Sequence, residues 1–288
     1  MNSSAQRRAL ESLLADEDFS TRQLVIEELR SGKAKNHKLV EDLARSVHPQ
    51  VALQAQSILS DWQGLEGGTV SASGNCQGLQ GLTPACLKDW VQLESLCWLL
   101  VQTEYRDYEV KTGTQILDAL ARKVLQRYQA FEGQKMGKWR ALHEVLGVEE
   151  GYVGDTEEYY SPDNSYLNRV LERKTGIPLT LALTYVFVGL RLRWNVSGVN
   201  TPGHYLAAVE GTIFDPFFGG MALTPKMLKE RFGDSCLESG ASHYFSATPF
   251  ETAQRMMSNL MNSYARNGDD ERLRRVGTYL QILQEKQH

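Results

Sequence analysis

NSYLNRVLERKTGIPLTLALTYVFVGLRLRWNVSGVNTPGHYLAAVEGTIFDPFFGG, residues 164–220, decides the fold. It reads as a helix, a sharp stop, a buried helix, and then short strands. Asn164 or Asp163 is expected to cap the first helix, because a short polar side chain accepts from the orphan amides there. Arg173 and Lys174 fall in its last turn, where cations complement the carbonyl end. Gly176 is expected to supply the left-handed stop. Pro178 opens the next helix, where its missing N–H costs nothing. From Leu179 to Leu192 that helix is apolar nearly all round, which predicts burial inside a domain. It is too short to span a bilayer, which takes roughly 20 apolar residues.

The period then changes. Residues 195–199 and 204–209 carry the short apolar and β-branched runs of strands. Glu210-Gly211-Thr212 predicts a tight hairpin turn, with Ile213 to Asp215 returning. Such a hairpin brings His204 close to Asp215. A carboxylate beside an imidazole fixes its tautomer and raises its basicity, which is the supporting half of a nucleophilic site.

The run from Asn164 to Trp194, followed by GVNTPGHYL and IFDPFFGG, resembles the transglutaminase-like domain of the bacterial SirB family. The resemblance covers about residues 90–285, helical tail included. It implies a cysteine-protease-like core, in which a Cys at the start of a buried helix is followed by a His and an Asp on adjacent strands. By position the His is His204, the Asp is Asp215, and the place of the Cys is taken by Pro178. A helix N-terminus lowers a thiol's pKa well below its free value, but proline has nothing to ionise. Thr180 is the nearest hydroxyl, and Thr184, a turn deeper, is expected to bond a backbone carbonyl. Cys236, in an irregular stretch with His243, is the one thiol placed to stand in for the missing nucleophile.

The reading is therefore of a non-catalytic relative that recognises a protein or peptide. Its candidate binding residues are Pro178, Thr180, His204, Asp215, Tyr160 and Asn164. The competing reading is a hydrolase or amide transferase using His204 and Asp215 with an unconventional nucleophile or an activated water. A third places Glu172 with His204 and Asp215 around a metal. The main reading calls for no cofactor and no metal.

Composition agrees with a globular protein: 288 residues, 42% hydrophobic, 23% charged. A net charge of −4 gives no basic face for nucleic acid. Cys76, Cys86, Cys97 and Cys236 are widely spaced with no C-x-x-C pair, so neither a zinc site nor a disulfide framework is indicated. With no signal peptide and no membrane segment in the pattern, a cytoplasmic location is expected.

The fold class expected is α+β and mostly helical, a transglutaminase-like core with a small antiparallel sheet preceded by a HEAT-like helical array. In residues 1–63, four apolar stripes mark the array: Leu10, Leu13 and Leu14; Leu24, Val25 and Leu29; Leu39, Val40, Leu43 and Val47; and Val51, Ala55, Ile58 and Leu59. A plain helical cap fits the stripes equally. Residues 64–86 form a Gly/Ser-rich linker without the G-K-[ST] ending of a phosphate loop.

Residues 87–247 form the transglutaminase-like domain. Val91, Leu93, Leu96, Cys97, Leu99 and Leu100 predict a buried helix, residues 116–131 an amphipathic one, and residues 139–146 a shorter one closed by Gly147. Glu104, Asp107 and Glu109 lie in a solvated loop. Residues 149–163 are acidic and tyrosine-rich, with Tyr159 and Tyr160 available to pack or to meet a partner. Thr224 is expected to cap a helix ending at Phe232. Residues 248–288 form a tetratricopeptide-like helical hairpin, started by a Thr248–Glu251 capping box and turned at Asn267-Gly268.

Overall fold

The computed structural model describes residues 3–14, 25, 28, 29, 32–44, 46, 51, 55, 58, 87–130, 137–232 and 246–285. The chain divides into two compact units, Met1–Asn75 with Met261–Thr278, and Cys76–Leu260 with Tyr279–His288. The linker expected at residues 64–86, Leu24, Val47, Leu59, Cys236 and His243 lie outside the described residues.

In the first unit, helices α1 (Ser3–Leu14) and α2 (Lys33–Leu43) contribute to a core of Leu14, Leu29, Val40, Leu43, Val51, Ala55 and Ile58. Each of the four apolar stripes thus delivers side chains to one interior, with Leu10, Val25 and Leu39 flanking it. Leu13 departs from its stripe and is exposed. The unit also takes in the end of α9 (Pro249–Arg266) and most of α10 (Asp270–Glu285). The bend between them uses Gly268 at φ +70, a conformation only glycine adopts freely. Asp269 then caps α10 by accepting from the Arg272 amide at 3.0 Å.

The second unit is built around α7 (Pro178–Arg191), buried without interruption from Pro178 to Gly189. Helices α3 (Trp90–Glu104), α4 (Val110–Ala130) and α6 (Leu167–Arg173) pack on it, as do strands β3 (Val196–Thr201) and β4 (His204–Val209). Each fully buried Leu, Val or Phe in such a helix contributes about 1.5–3 kcal/mol. With β5 (Thr212–Asp215) and β6 (Met221–Ala222), the strands form an antiparallel sheet in the order β3-β4-β5-β6. The β4–β5 turn has Glu210 at φ +48 and Gly211 at φ +81, two positive values that match the twist of a hairpin. A separate parallel pair joins β1 (Val153–Gly154) to β2 (Thr175–Gly176). Helices α5 (Lys138–Leu142) and α8 (Pro225–Phe232) complete the unit.

The antiparallel sheet has two distinct faces. Gly189 of α7 abuts Val196, and Tyr185 of α7 tilts against Phe214, so Val196, Ala207 and Phe214 face α7. Alternation then sends Val199, Leu206 and Ile213 to the other face, where they cluster with Leu228 and Phe232 of α8.

Several local expectations are corrected. Neither Asn164 nor Asp163 caps α6; both lie in a 3-10 turn, Pro162–Ser165, and α6 starts after Tyr166 with no side-chain cap. The left-handed stop is Lys174 at φ +60, not Gly176, which sits in β2 where any side chain would strike Val170. Gly147 does not close a helix. It lies inside a π-helical turn, His143–Glu149, where its missing side chain admits the Gly219 carbonyl. Val91 points outward from α3. The expected capping box forms, with the Glu251 amide donating to Thr248 Oγ1 at 3.1 Å and the Thr248 amide to Glu251 Oε2 at 2.8 Å. No described helix is long and apolar enough to cross a membrane.

Candidate functional site

Strand register brings the expected pair together. Ala207 pairs with Phe214, and continuing that register sets Asp215 across from Leu206. His204 is two residues along on the same face, a diagonal that long side chains bridge. His204 Nε2 donates to Asp215 Oδ2 at 2.9 Å and lies 3.0 Å from Oδ1. A carboxylate only accepts, so Nε2 carries a proton and, in the neutral ring, Nδ1 is the acceptor. Nδ1 hydrogen-bonds none of the described residues, and the His204 side chain is 14% exposed.

Asp215 has no exposed surface, yet its carboxylate is fully engaged. It accepts from the Phe217 amide at 3.1 Å, which starts the 3-10 turn Pro216–Phe218. Arg231 Nη1 donates to its Oδ2 at 3.1 Å. A buried carboxylate needs such partners, because stripping its water without compensation is very costly. Arg231 is held in turn over the rings of Phe218 and Phe232, each centroid 5.3 Å away. The same rings stack on His204 at 6.4 and 6.0 Å, and Phe217 meets it edge-on at 5.9 Å.

The Phe217–Gly220 turn is fastened from α5 and the π-helical turn. Trp139 Nε1 donates to the Gly220 carbonyl at 2.9 Å, and His143 Nδ1 donates to that of Gly219 at 2.7 Å. π-Helical turns of this kind concentrate at functional sites.

Among the described residues, none of the remaining candidates hydrogen-bonds the pair. Pro178 is buried at the first position of α7. Thr180 is 1% exposed, and its hydroxyl has no hydrogen-bond partner among the described residues, His204 included. Thr184 donates to the Thr180 carbonyl at 3.0 Å, as a core threonine does. Asn164 is buried and ties the acidic loop down, donating to the Glu158 carbonyl at 2.8 Å and accepting from Arg173 at 3.2 Å. Tyr160 is exposed and packs on Tyr159, whose ring meets Phe217 at 6.1 Å. Glu172 is paired with Arg169 at 2.7 Å, and no cluster of three potential metal ligands occurs among the described residues. Cys97 is a buried core thiol, pushed far above its ordinary pKa by burial and the Glu94 carboxylate.

A sequence model described as the transglutaminase-like superfamily matches residues 111–258, just over half of the chain and the part that carries this pair. The chain belongs to the transglutaminase-like superfamily. A UPF0162 protein of Xylella fastidiosa is 32% identical over 187 residues, 60% of this chain and 65% of that protein. A UPF0162 protein of Pseudomonas aeruginosa is 32% identical over 125 residues, 42% of this chain and 46% of that one. F-box only protein 21 of Mus musculus is 32% identical over 143 residues, 46% of this chain but 22% of the mouse protein. The chain thus spans less than two thirds of each of these relatives. No solved structure matches it.

Within this transglutaminase-like domain, Arg231, Phe217, Phe218 and Phe232 escape a reading of the sequence. Arg231 lies sixteen residues beyond Asp215 with no periodic signal joining them. The doubled phenylalanine of DPFFGG was the only visible sign that aromatic rings collect there.

Proposed function

We propose that this chain is a non-catalytic, transglutaminase-like recognition module of SirB type that binds a protein or peptide without forming a covalent bond. One observation carries the reading: apart from their bond to each other, the hydrogen bonds and ring contacts of His204 and Asp215 come from α8 and the Phe217–Phe218 turn, and none of those groups is a nucleophile. Pro178, at the position where the resemblance implies a cysteine, supplies no nucleophile. The imidazole is instead embedded in aromatic rings, and Nδ1, the acceptor of the neutral ring, is left for a ligand N–H or O–H. On this reading Pro178, Tyr160, His204 and Asp215 border the binding groove. The HEAT-like array and the tetratricopeptide-like hairpin are further recognition surfaces. The module works in the cytoplasm, with no cofactor, nucleic acid or membrane partner.

The oriented His204–Asp215 pair also favours a second reading, an enzyme in which Nδ1 activates water or an unconventional nucleophile against an amide or ester. Turnover of an aryl ester and of a glutamine peptide with an amine donor separates the two. Wild type and His204→Ala are expected to give the same background rate. A wild-type rate that disappears in a folded His204→Ala variant overturns the recognition reading.

A further inference from the structure

We propose that Arg231 is the ligand-reading residue of this site and that its ligand is an acidic peptide, with an Asp or Glu carboxylate on the guanidinium and a neighbouring apolar side chain on Phe218 and Met221. The inference rests on the non-covalent recognition reading above and names its ligand class. Arg231 spends Nη1 on Asp215; its Nε and Nη2 hydrogen-bond none of the described residues. The guanidinium is nevertheless immobilised, by the Asp215 carboxylate and by the rings of Phe218 and Phe232. A planar fork held in place with an open edge fits a carboxylate at little ordering cost.

The surroundings select the sign and shape of the ligand. Asp215 is already neutralised by Arg231 and bonded by His204, and it is buried, so it does not face the ligand as a free anion. On α8 the neighbouring carboxylate, Glu230, pairs with Lys226 and leaves the Arg231 fork to its own contacts. Phe218 is 52% exposed and Met221 56%; Phe218 is in contact with Arg231, and Met221 pairs across the sheet with Asp215. Aromatic, Met and Arg side chains together are the composition enriched at protein interfaces.

The test uses the full chain and three pools of fluorescein-labelled hexapeptides. One fixes an Asp/Glu pair beside Phe/Leu, one puts Asn/Gln in place of the acids, and one puts phosphoserine there. Binding is read by fluorescence anisotropy. The acidic pool is expected to bind about tenfold or more tighter than its amide counterpart, the factor for a hydrogen bond to a charged group. That preference should shrink between about 50 mM and about 300 mM salt as screening shortens. Arg231→Gln should abolish it, and Arg231→Lys, which keeps a cation for Asp215 but not the fork, should reduce it with the melting temperature as control. Equal binding of the acidic and amide pools, lost in Phe218→Ala, overturns the acidic assignment while leaving the recognition groove. Tighter binding of the phosphoserine pool alone overturns the carboxylate in favour of phosphate. No binding by any pool overturns both the inference and the groove.

Discussion

Arg231 Nη1 lies 3.1 Å from Asp215 Oδ2, the same oxygen that takes His204 Nε2 at 2.9 Å. Asp215 is thereby a joint between α8 and the hairpin. A double-mutant cycle of Arg231→Met and Asp215→Asn is expected to give a coupling energy of about 0.5–3 kcal/mol in denaturant unfolding, as contacting partners do. A coupling near zero would mean the joint contributes nothing to stability.

The fastening of the Phe217–Gly220 turn makes a sharper demand. A Cβ on Gly147 would fall 1.9 Å from the Gly219 carbonyl oxygen and 2.8 Å from its carbon, backbone atoms that cannot rotate away. Gly147→Ala is expected to destabilise by about 1–3 kcal/mol, as overpacking does. Gly137→Ala, with open space around it and an ordinary negative φ, is the control and is expected to be neutral or slightly stabilising. Thermal melts of the two variants make the comparison.

Thr180 and Thr184 carry the same side chain with opposite accounts. The Thr180 hydroxyl is buried without a partner among the described residues, so Thr180→Val removes a desolvation cost and none of the bonds seen there. Stability is expected to stay level or rise. Thr184→Val loses the bond to the Thr180 carbonyl and is expected to cost about 0.5–1.5 kcal/mol. A Thr180→Val variant that is strongly destabilised would show that its hydroxyl has a partner in solution.

Acid sensitivity should concentrate at the junction leading into α7. Burial pushes the Asp155 carboxyl up, but the amides of Glu158 and Glu157, the Asn164 side chain and Arg173 outweigh it and hold it below its usual range. Hydrogen bonds from Lys123 and Lys174 hold Glu150 low as well. A depressed folded-state pKa gives stability that is present above the unfolded value, about 4 for carboxyls, and lost as pH falls through the lower folded value. Unfolding free energy is therefore expected to drop as pH falls below about 4, and less steeply in Asp155→Asn. Equal slopes for the two proteins would refute the assignment.

Pro178→Cys probes the inferred nucleophile position directly. A thiol in the first turn of α7 is expected to ionise below the free value of about 8.5, read from thiolate absorbance against pH. Adding His204→Ala should raise it again if the imidazole faces that position. An unshifted thiol would dissociate the His204–Asp215 pair from the start of α7.

Legibility tracked the range of the interactions. The strands, the Glu210-Gly211 turn, the Thr248–Glu251 box and the buried run of α7 were readable because each depends on neighbours a few residues apart. The stop at Lys174 was misassigned to Gly176 because β2 pairing with β1, a contact across the chain, claims the glycine instead. Gly147 was misread as a helix end for the same kind of reason, since its small size serves the distant Gly219 carbonyl.

The amino-acid order alone determined that a buried helix opening with Pro178 precedes a hairpin carrying His204 and Asp215, because periodicity and turn chemistry are local. Only the tertiary structure decided what that pair touches. Packing α8 onto one face of the sheet put Arg231 and Phe232 against it, a meeting set by side-chain alternation and helix placement that no short window of sequence encodes.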